Sequence, residues 1–198
     1  MQLLSRIYDL AVLNLLFLLT CVPIFTIGAA STALYTVCFR MDTEKEDGIF
    51  RSYFRAFRDN FRQGVLLWLL FLLFSGSCLI NILLFSSRFP VLVPFFWLLF
   101  ALSIMLFGYV FPLLSRFSND IRSTLKNALA LCLGYLPRSL ILGILNIFPW
   151  AILVMNLYAF LNMAFAWVFL YFSAAAYLNS LILKKIFAPY LNTEEETQ

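Results

Sequence analysis

Four long stretches of the chain carry no formal charge and are rich in apolar residues. They cover residues 10–39, 63–87, 89–115 and 139–183. Because about 20 apolar residues in a helix cross a bilayer, each stretch predicts at least one membrane-spanning helix, and the last is long enough for two. We therefore predict an all-α transmembrane bundle of about five spans, at about 8–39, 64–85, 91–114, 139–156 and 160–183.

The first of these stretches is too long for one straight span. Thirty helical residues would extend about 45 Å, and Pro23 removes a backbone donor inside the run. We predict helices at about 8–22 and 27–39, with a structured joint near 23–28 that is buried in the bundle, since irregular backbone at membrane depth needs cover from protein or water. The predicted joint residues are Asn14, Pro23, Thr26 and Gly28. A hairpin at 23–28 is the alternative to a single broken crossing.

The segment at about 49–62 predicts an amphipathic helix. Its aromatic residues recur at helical spacing on one face: Phe50, Tyr53, Phe54, Phe57 and Phe61. Four arginines form a second stripe beside that face: Arg51, Arg55, Arg58 and Arg62. Aromatic rings beside guanidinium groups are typical of a helix that lies in the membrane interface. We predict that these residues contact anionic lipid headgroups, or else dock a cytoplasmic partner.

A second interfacial helix is predicted at about 119–136. Apolar residues recur at helical spacing along it, and Pro137 either ends the helix or bends it into the fourth span. A polar tail is predicted at 186–198. The whole chain, 1–198, is predicted to form a single integral membrane domain.

Composition and charge support the membrane assignment and suggest an orientation. The chain is 63% hydrophobic and 12% charged, whereas a soluble domain is roughly 25% charged. With five spans, twelve lysines and arginines would lie on one side, and only Arg6 and Arg88 on the other. The positive-inside rule makes the twelve-charge side cytoplasmic, which puts the C-terminus inside and the N-terminus outside. A hairpin at 23–28 would return the N-terminus to the cytoplasm.

The residue types that carry catalysis or ion coupling are scarce. The chain has no histidine, its four cysteines lack CxxC spacing, and no acidic residue falls at mid-membrane depth. We predict no catalytic, metal-binding or cofactor-binding residue, and no nucleic-acid partner. The amides and hydroxyls within the spans predict hydrogen bonds between helices. Sugar binding by clustered asparagines and tryptophans is the alternative.

Three sequence blocks resemble one known family. The stretch NLLFLLTCVPIFTIGAASTALY, from Asn14 to Tyr35, resembles the N-terminal signature of the YesL-like membrane proteins, a family of unknown function. YFRAFRDNFRQ at 53–63 and LKNALALCLGYLPR at 125–138 are similar to its second and third blocks. The resemblance implies a multi-pass protein of the bacterial cytoplasmic (inner) membrane, encoded beside carbohydrate ABC-transporter components. It implies no catalytic residue.

Two functional hypotheses follow from these observations. The first is a non-enzymatic accessory or regulatory membrane subunit of a carbohydrate ABC-type uptake system, with sugar-transporter permease subunits as partners. The second is a small self-contained permease or solute- or lipid-binding bundle, with the joint at 23–28 lining a cavity. A membrane enzyme is a third, less favoured hypothesis.

Overall fold

The computed structural model describes the backbone of residues 2–41, 48–86, 89–117 and 120–195. Of these described residues, 93% are helical and none lies in a β-strand. The prediction of an all-α helical bundle is confirmed.

Ten α-helices follow one another along the described chain. They are α1 (Gln2–Cys21), α2 (Ile27–Arg40), α3 (Ile49–Asp59), α4 (Phe61–Phe85), α5 (Val93–Arg116), α6 (Ile121–Gly134), α7 (Leu136–Met155), α8 (Leu157–Asn162), α9 (Ala164–Ala166) and α10 (Phe172–Glu195). Short 3-10 turns at Ile24–Thr26 and Pro90–Leu92 precede α2 and α5, and a π-helix at Trp167–Tyr171 joins α9 to α10. Helix α10 continues through most of the segment predicted as a tail.

Within the described residues, three helical segments are long and apolar enough to cross a membrane. They are Phe61–Phe85, Pro90–Arg116 and Ala164–Phe187. A fourth candidate is the pair Ile121–Gly134 and Leu136–Pro149, if this bent pair forms one span. The structure therefore offers three to four spans where the charge-free runs suggested about five. Part of the difference lies in α2, whose fourteen residues reach about 21 Å, less than the roughly 30 Å hydrocarbon core.

Helix α1 runs antiparallel to the C-terminal helical segment. Near its start, the Arg6 guanidinium donates a hydrogen bond to the Tyr177 hydroxyl at 3.1 Å. Two turns later, the Asn14 side chain accepts a hydrogen bond from the Ser173 backbone N–H at 2.9 Å. Residue numbers therefore rise along α1 as they fall along the facing part of α10, so the two helices are antiparallel.

Helix α2 runs in the opposite direction along the same partner. Asn179 donates a side-chain hydrogen bond to the Tyr35 hydroxyl at 3.2 Å, and the Phe39 and Phe187 rings lie 6.1 Å apart. Since α1 is antiparallel to α10 and α2 is parallel to it, α1 and α2 fold back on each other. The hairpin alternative, rather than one broken crossing, describes the first hydrophobic run.

The close approach of α2 and α4 depends on two glycines. A Cβ atom added to Gly28 would lie 2.1 Å from the Gly64 carbonyl oxygen and 2.7 Å from Trp68 Cβ. A Cβ atom added to Gly64 would lie 2.8 Å from Ala29 Cα. Small residues let helix backbones approach closely in a membrane, where packing rather than water exclusion drives association.

The 108° bend between α6 and α7 centres on Tyr135. Pro137, the second residue of α7, has no N–H with which to continue the hydrogen-bond ladder of α6. The Ser139 hydroxyl instead donates to the carbonyls of Cys132 and Tyr135, each at 3.0 Å. It also hydrogen-bonds with the Tyr109 hydroxyl of α5 at 2.9 Å, which ties the bend to the bundle.

Candidate functional site

One face of α3 anchors this helix to the bundle. Tyr53 is fully buried and Ala56 is nearly so. The Tyr53 hydroxyl hydrogen-bonds with the Thr20 hydroxyl of α1 at 2.6 Å. Burial raises the pKa of Tyr53, and the hydrogen bond between Tyr53 and Thr20 opposes part of that rise. The aromatic face predicted for 49–62 is thus divided, because its Tyr53 edge packs against α1.

The opposite face of α3 points away from the protein. Phe50 and Phe54 are 59% and 45% exposed, and Arg51 and Arg58 lie on the same side and are exposed. Phe61, the first residue of α4, extends this surface and is 38% exposed. We call these five residues the outward face. Its mixture of rings and guanidinium groups suits a membrane interface or a protein partner.

A polar cavity of about 730 Å³ lies beside α3, on a side of the helix different from the buried face and from the outward face. Ser52, Arg55 and Asp59 line it from α3, and Arg62 and Gln63 line it from the start of α4. The spacing of these residues, at three to four positions, places them along one side of a helix. The four arginines predicted as one stripe therefore serve two surfaces, since Arg51 and Arg58 belong to the outward face.

Two further arginines complete the cavity wall from other helices. Arg40 is the last residue of α2, and Arg116 is the last residue of α5. The Arg116 guanidinium lies over the Phe39 ring, 5.9 Å from its centroid, a cation–π arrangement that helps to hold its position. Asp120, which precedes α6, also lines the cavity.

The cavity wall carries an excess of positive charge. Among the residues that the structure describes, four arginines and two aspartates line it, a formal excess of two positive charges. Guanidinium groups that converge from four helices favour binding of an anion over binding of a metal cation. Among the described residues, no group of three or more His, Cys, Asp or Glu side chains is placed to hold a metal ion.

The predicted joint lies partly at the surface rather than within the bundle. Thr26 is buried, whereas Pro23 and Ile24 are exposed. The exposed turn is tolerated because its carbonyls have partners: Trp68 Nε1 donates to the Ile24 carbonyl at 2.8 Å, and the Thr26 hydroxyl donates to the Thr20 and Pro23 carbonyls. Three predicted joint residues, Pro23, Thr26 and Gly28, do lie at this turn and at the start of α2.

Asn14, the fourth predicted joint residue, lies elsewhere. It is fully buried in the middle of α1 and faces the π-helix at Trp167–Tyr171. Its Nδ2 donates to the Trp167 and Val168 carbonyls at 3.0 and 2.6 Å. Because a π-helix displaces carbonyls from the regular α-helical ladder, the Asn14 amide supplies partners that the local backbone lacks.

Sequence reasoning did not include Arg40, Arg116 or Asp120 among the site residues. One sequence feature did favour these positions: Arg40 and Arg116 each end a helix, where a basic side chain interacts favourably with the helix dipole. The positive-inside pattern also assigned them to the same side of the membrane as Arg55 and Arg62. Neither observation could indicate that the four side chains surround one cavity.

The four cysteines have no disulfide partners. Cys38, Cys78 and Cys132 are buried, and Cys21 is half-buried. They occupy separate helices, α2, α4, α6 and α1, and contribute apolar volume where they are buried.

The long apolar helices define a helical integral membrane protein. Residues 10–82 match the family described as "Protein of unknown function, DUF624". The YesL-like proteins are a family of this type, so the resemblance is confirmed for the N-terminal part of the chain, which contains the first two of the three blocks. No curated protein and no solved structure matches the chain.

Proposed function

We propose that this protein is a non-enzymatic accessory or regulatory membrane subunit associated with a carbohydrate ABC-type uptake system. The observation that carries the proposal is the outward face of α3. Phe50, Phe54, Arg51 and Arg58 are displayed together on a helix whose other side is anchored by the buried Tyr53. A rigidly held helix with exposed aromatic and arginine side chains has the composition of a protein-docking surface.

The proposed location is the bacterial cytoplasmic membrane, with the outward face and the C-terminus on the cytoplasmic side. The concentration of basic residues around α3 and α6 supports this orientation. The hairpin of α1 and α2 supports a cytoplasmic N-terminus as well, because it returns the chain to the side from which it started. Arg6, the basic residue that opposed a single crossing, then obeys the positive-inside rule.

The test is co-purification from the native host after mild solubilisation. We expect permease subunits of a sugar transporter to be recovered with the wild-type protein, and to be lost from the variant Arg51→Glu/Arg58→Glu. The matched control is Arg122→Glu/Lys126→Glu, which changes charge equally on the exposed side of α6. Recovery of the wild-type protein alone, or equal loss of the subunits from both variants, would contradict the docking proposal.

The polar cavity favours a second candidate function, a self-contained solute- or lipid-binding bundle or small permease. Its volume of about 730 Å³ falls within the range of small-molecule sites. The two candidates differ in whether the purified protein acts alone. Solute flux in proteoliposomes that contain only this protein would support the permease, whereas transport that requires the co-purified subunits would support the accessory role.

A further inference from the structure

The basic cavity has features of a ligand site that are independent of the outward face. Its arginines come from separate helices: Arg40 ends α2, Arg55 lies within α3, Arg62 is the second residue of α4 and Arg116 ends α5. Tertiary folding has therefore brought four like charges to one wall. Like charges repel one another, so an anion bound among them would be stabilised by all four.

The chemistry of the wall narrows the class of anion. A guanidinium group presents a planar fork of N–H donors that matches two oxygens of a phosphate group. The carboxylates of Asp59 and Asp120 offset two of the four positive charges. A phosphate monoester carries about −1.5 to −2 near pH 7 and presents three terminal oxygens, so it can bond to more of these guanidinium groups than a carboxylate or a phosphate diester, each of which presents two.

Neutral polar side chains on the same wall could hydrogen-bond to a phosphate monoester. Ser52 and Gln63 line the cavity and can donate hydrogen bonds to phosphate oxygens or to hydroxyls of an attached molecule. The volume of about 730 Å³ exceeds what one phosphate group needs, which leaves room for the molecule that bears it.

We infer that the cavity lined by Arg40, Arg55, Arg62 and Arg116 binds a phosphate monoester. Two sources share this chemistry: a soluble phosphate compound, or a membrane lipid whose headgroup is a phosphate monoester. The inference does not depend on a partner at the outward face, because the two surfaces use different residues of α3.

The test uses the full-length protein and two probes. Inorganic phosphate is titrated at constant ionic strength against the detergent-solubilised protein, and the rise in melting temperature gives the Kd by linkage. In parallel, the protein is placed in phosphatidylcholine nanodiscs that contain either phosphatidic acid or an amount of phosphatidylserine matched for charge. Stabilisation by inorganic phosphate indicates a soluble ligand, and selective stabilisation by phosphatidic acid indicates a lipid; either result supports the site.

Matched variants connect binding to the cavity. We expect Arg55→Gln/Arg62→Gln to raise the Kd about tenfold or more, since it removes two charge-assisted hydrogen-bonding groups. Arg51→Gln/Arg58→Gln removes the same charge from the same helix but outside the cavity, and should change the Kd by no more than about twofold. Asp59→Asn should lower the Kd, because it removes a negative charge from the wall. A misfolded variant would not bind the anion more tightly.

Two outcomes would overturn the inference. One is that neither inorganic phosphate nor phosphatidic acid stabilises the wild-type protein. The other is that the two double-arginine variants weaken binding equally, which would assign the effect to general surface charge. Because the docking experiment depends on Arg51 and Arg58, failure of one proposal is distinguishable from failure of the other.

Discussion

Replacing Gly28 with alanine tests the closest helix contact in this structure. The new Cβ would lie 2.1 Å from the Gly64 carbonyl oxygen and 2.7 Å from Trp68 Cβ. Ordinary non-bonded contacts are about 3.5–4.0 Å between carbon atoms, so α2 and α4 would have to separate by roughly 1 Å. The closest opposing atom belongs to backbone, which cannot rotate away. Overpacking of this kind costs about 1–3 kcal/mol, more than the gain of up to about 1 kcal/mol that alanine brings to a helix.

The matched control is Gly76→Ala on α4, where an added Cβ would have no atom within 4 Å. Both variants gain helix propensity, but only the Gly28 variant meets a steric obstacle. Unfolding in mixed detergent micelles, followed by circular dichroism, should give a free energy of unfolding at least about 1 kcal/mol lower for Gly28→Ala than for Gly76→Ala. Equal stabilities would refute the close packing of α2 on α4.

Two further predictions concern buried hydrogen bonds and can be measured by the same unfolding assay. Asn14→Leu should lower the free energy of unfolding by about 1–3 kcal/mol, whereas Asn146→Leu should have little effect, because the Asn146 amide bonds within its own helix to the Leu142 carbonyl; equal effects would contradict the role of Asn14 at the π-helix. Tyr53→Phe should cost about 0.5–1.5 kcal/mol through loss of the hydrogen bond to Thr20. Since burial raises the pKa of Tyr53 in the folded state, its contribution is complete below the ordinary tyrosine pKa of about 10 and declines at higher pH. The wild type should therefore lose more stability than Tyr53→Phe above about pH 10, and parallel pH profiles would count against a buried hydroxyl.

The hydrophobic pattern predicted the helical elements well where one helix corresponds to one uninterrupted run. The spans expected at 64–85 and 91–114 compare with Phe61–Phe85 and Pro90–Arg116 in the structure. The aromatic periodicity of 49–62 likewise corresponds to α3, Ile49–Asp59, and the first turn of α4. These features depend on local spacing and on transfer of side chains to lipid, both of which are properties of the sequence.

The path of the first apolar run, residues 10–39, could not be predicted from local sequence alone. Pro23 marked where the helix breaks, but the direction taken afterwards depends on contacts with a distant segment, such as the one between Asn179 and Tyr35, which are 144 residues apart. The exposed turn also survives because Trp68 of α4 donates to the Ile24 carbonyl. The sequence predicts Asn14 at the joint, whereas its partner is a π-helix that the sequence pattern does not indicate.

By itself, the sequence determined that this protein is a helical membrane protein and located the amphipathic helix α3. Apolar run length, helical periodicity and charge placement are sufficient for that result, because each follows from solvation of short segments by lipid or water. Only the tertiary structure decided that α1 and α2 form a hairpin. It also decided that Arg55 and Arg62 join Arg40 and Arg116 at one cavity while Arg51 and Arg58 point away. Helical periodicity places a residue on a face, but the packing of neighbouring helices determines what that face meets.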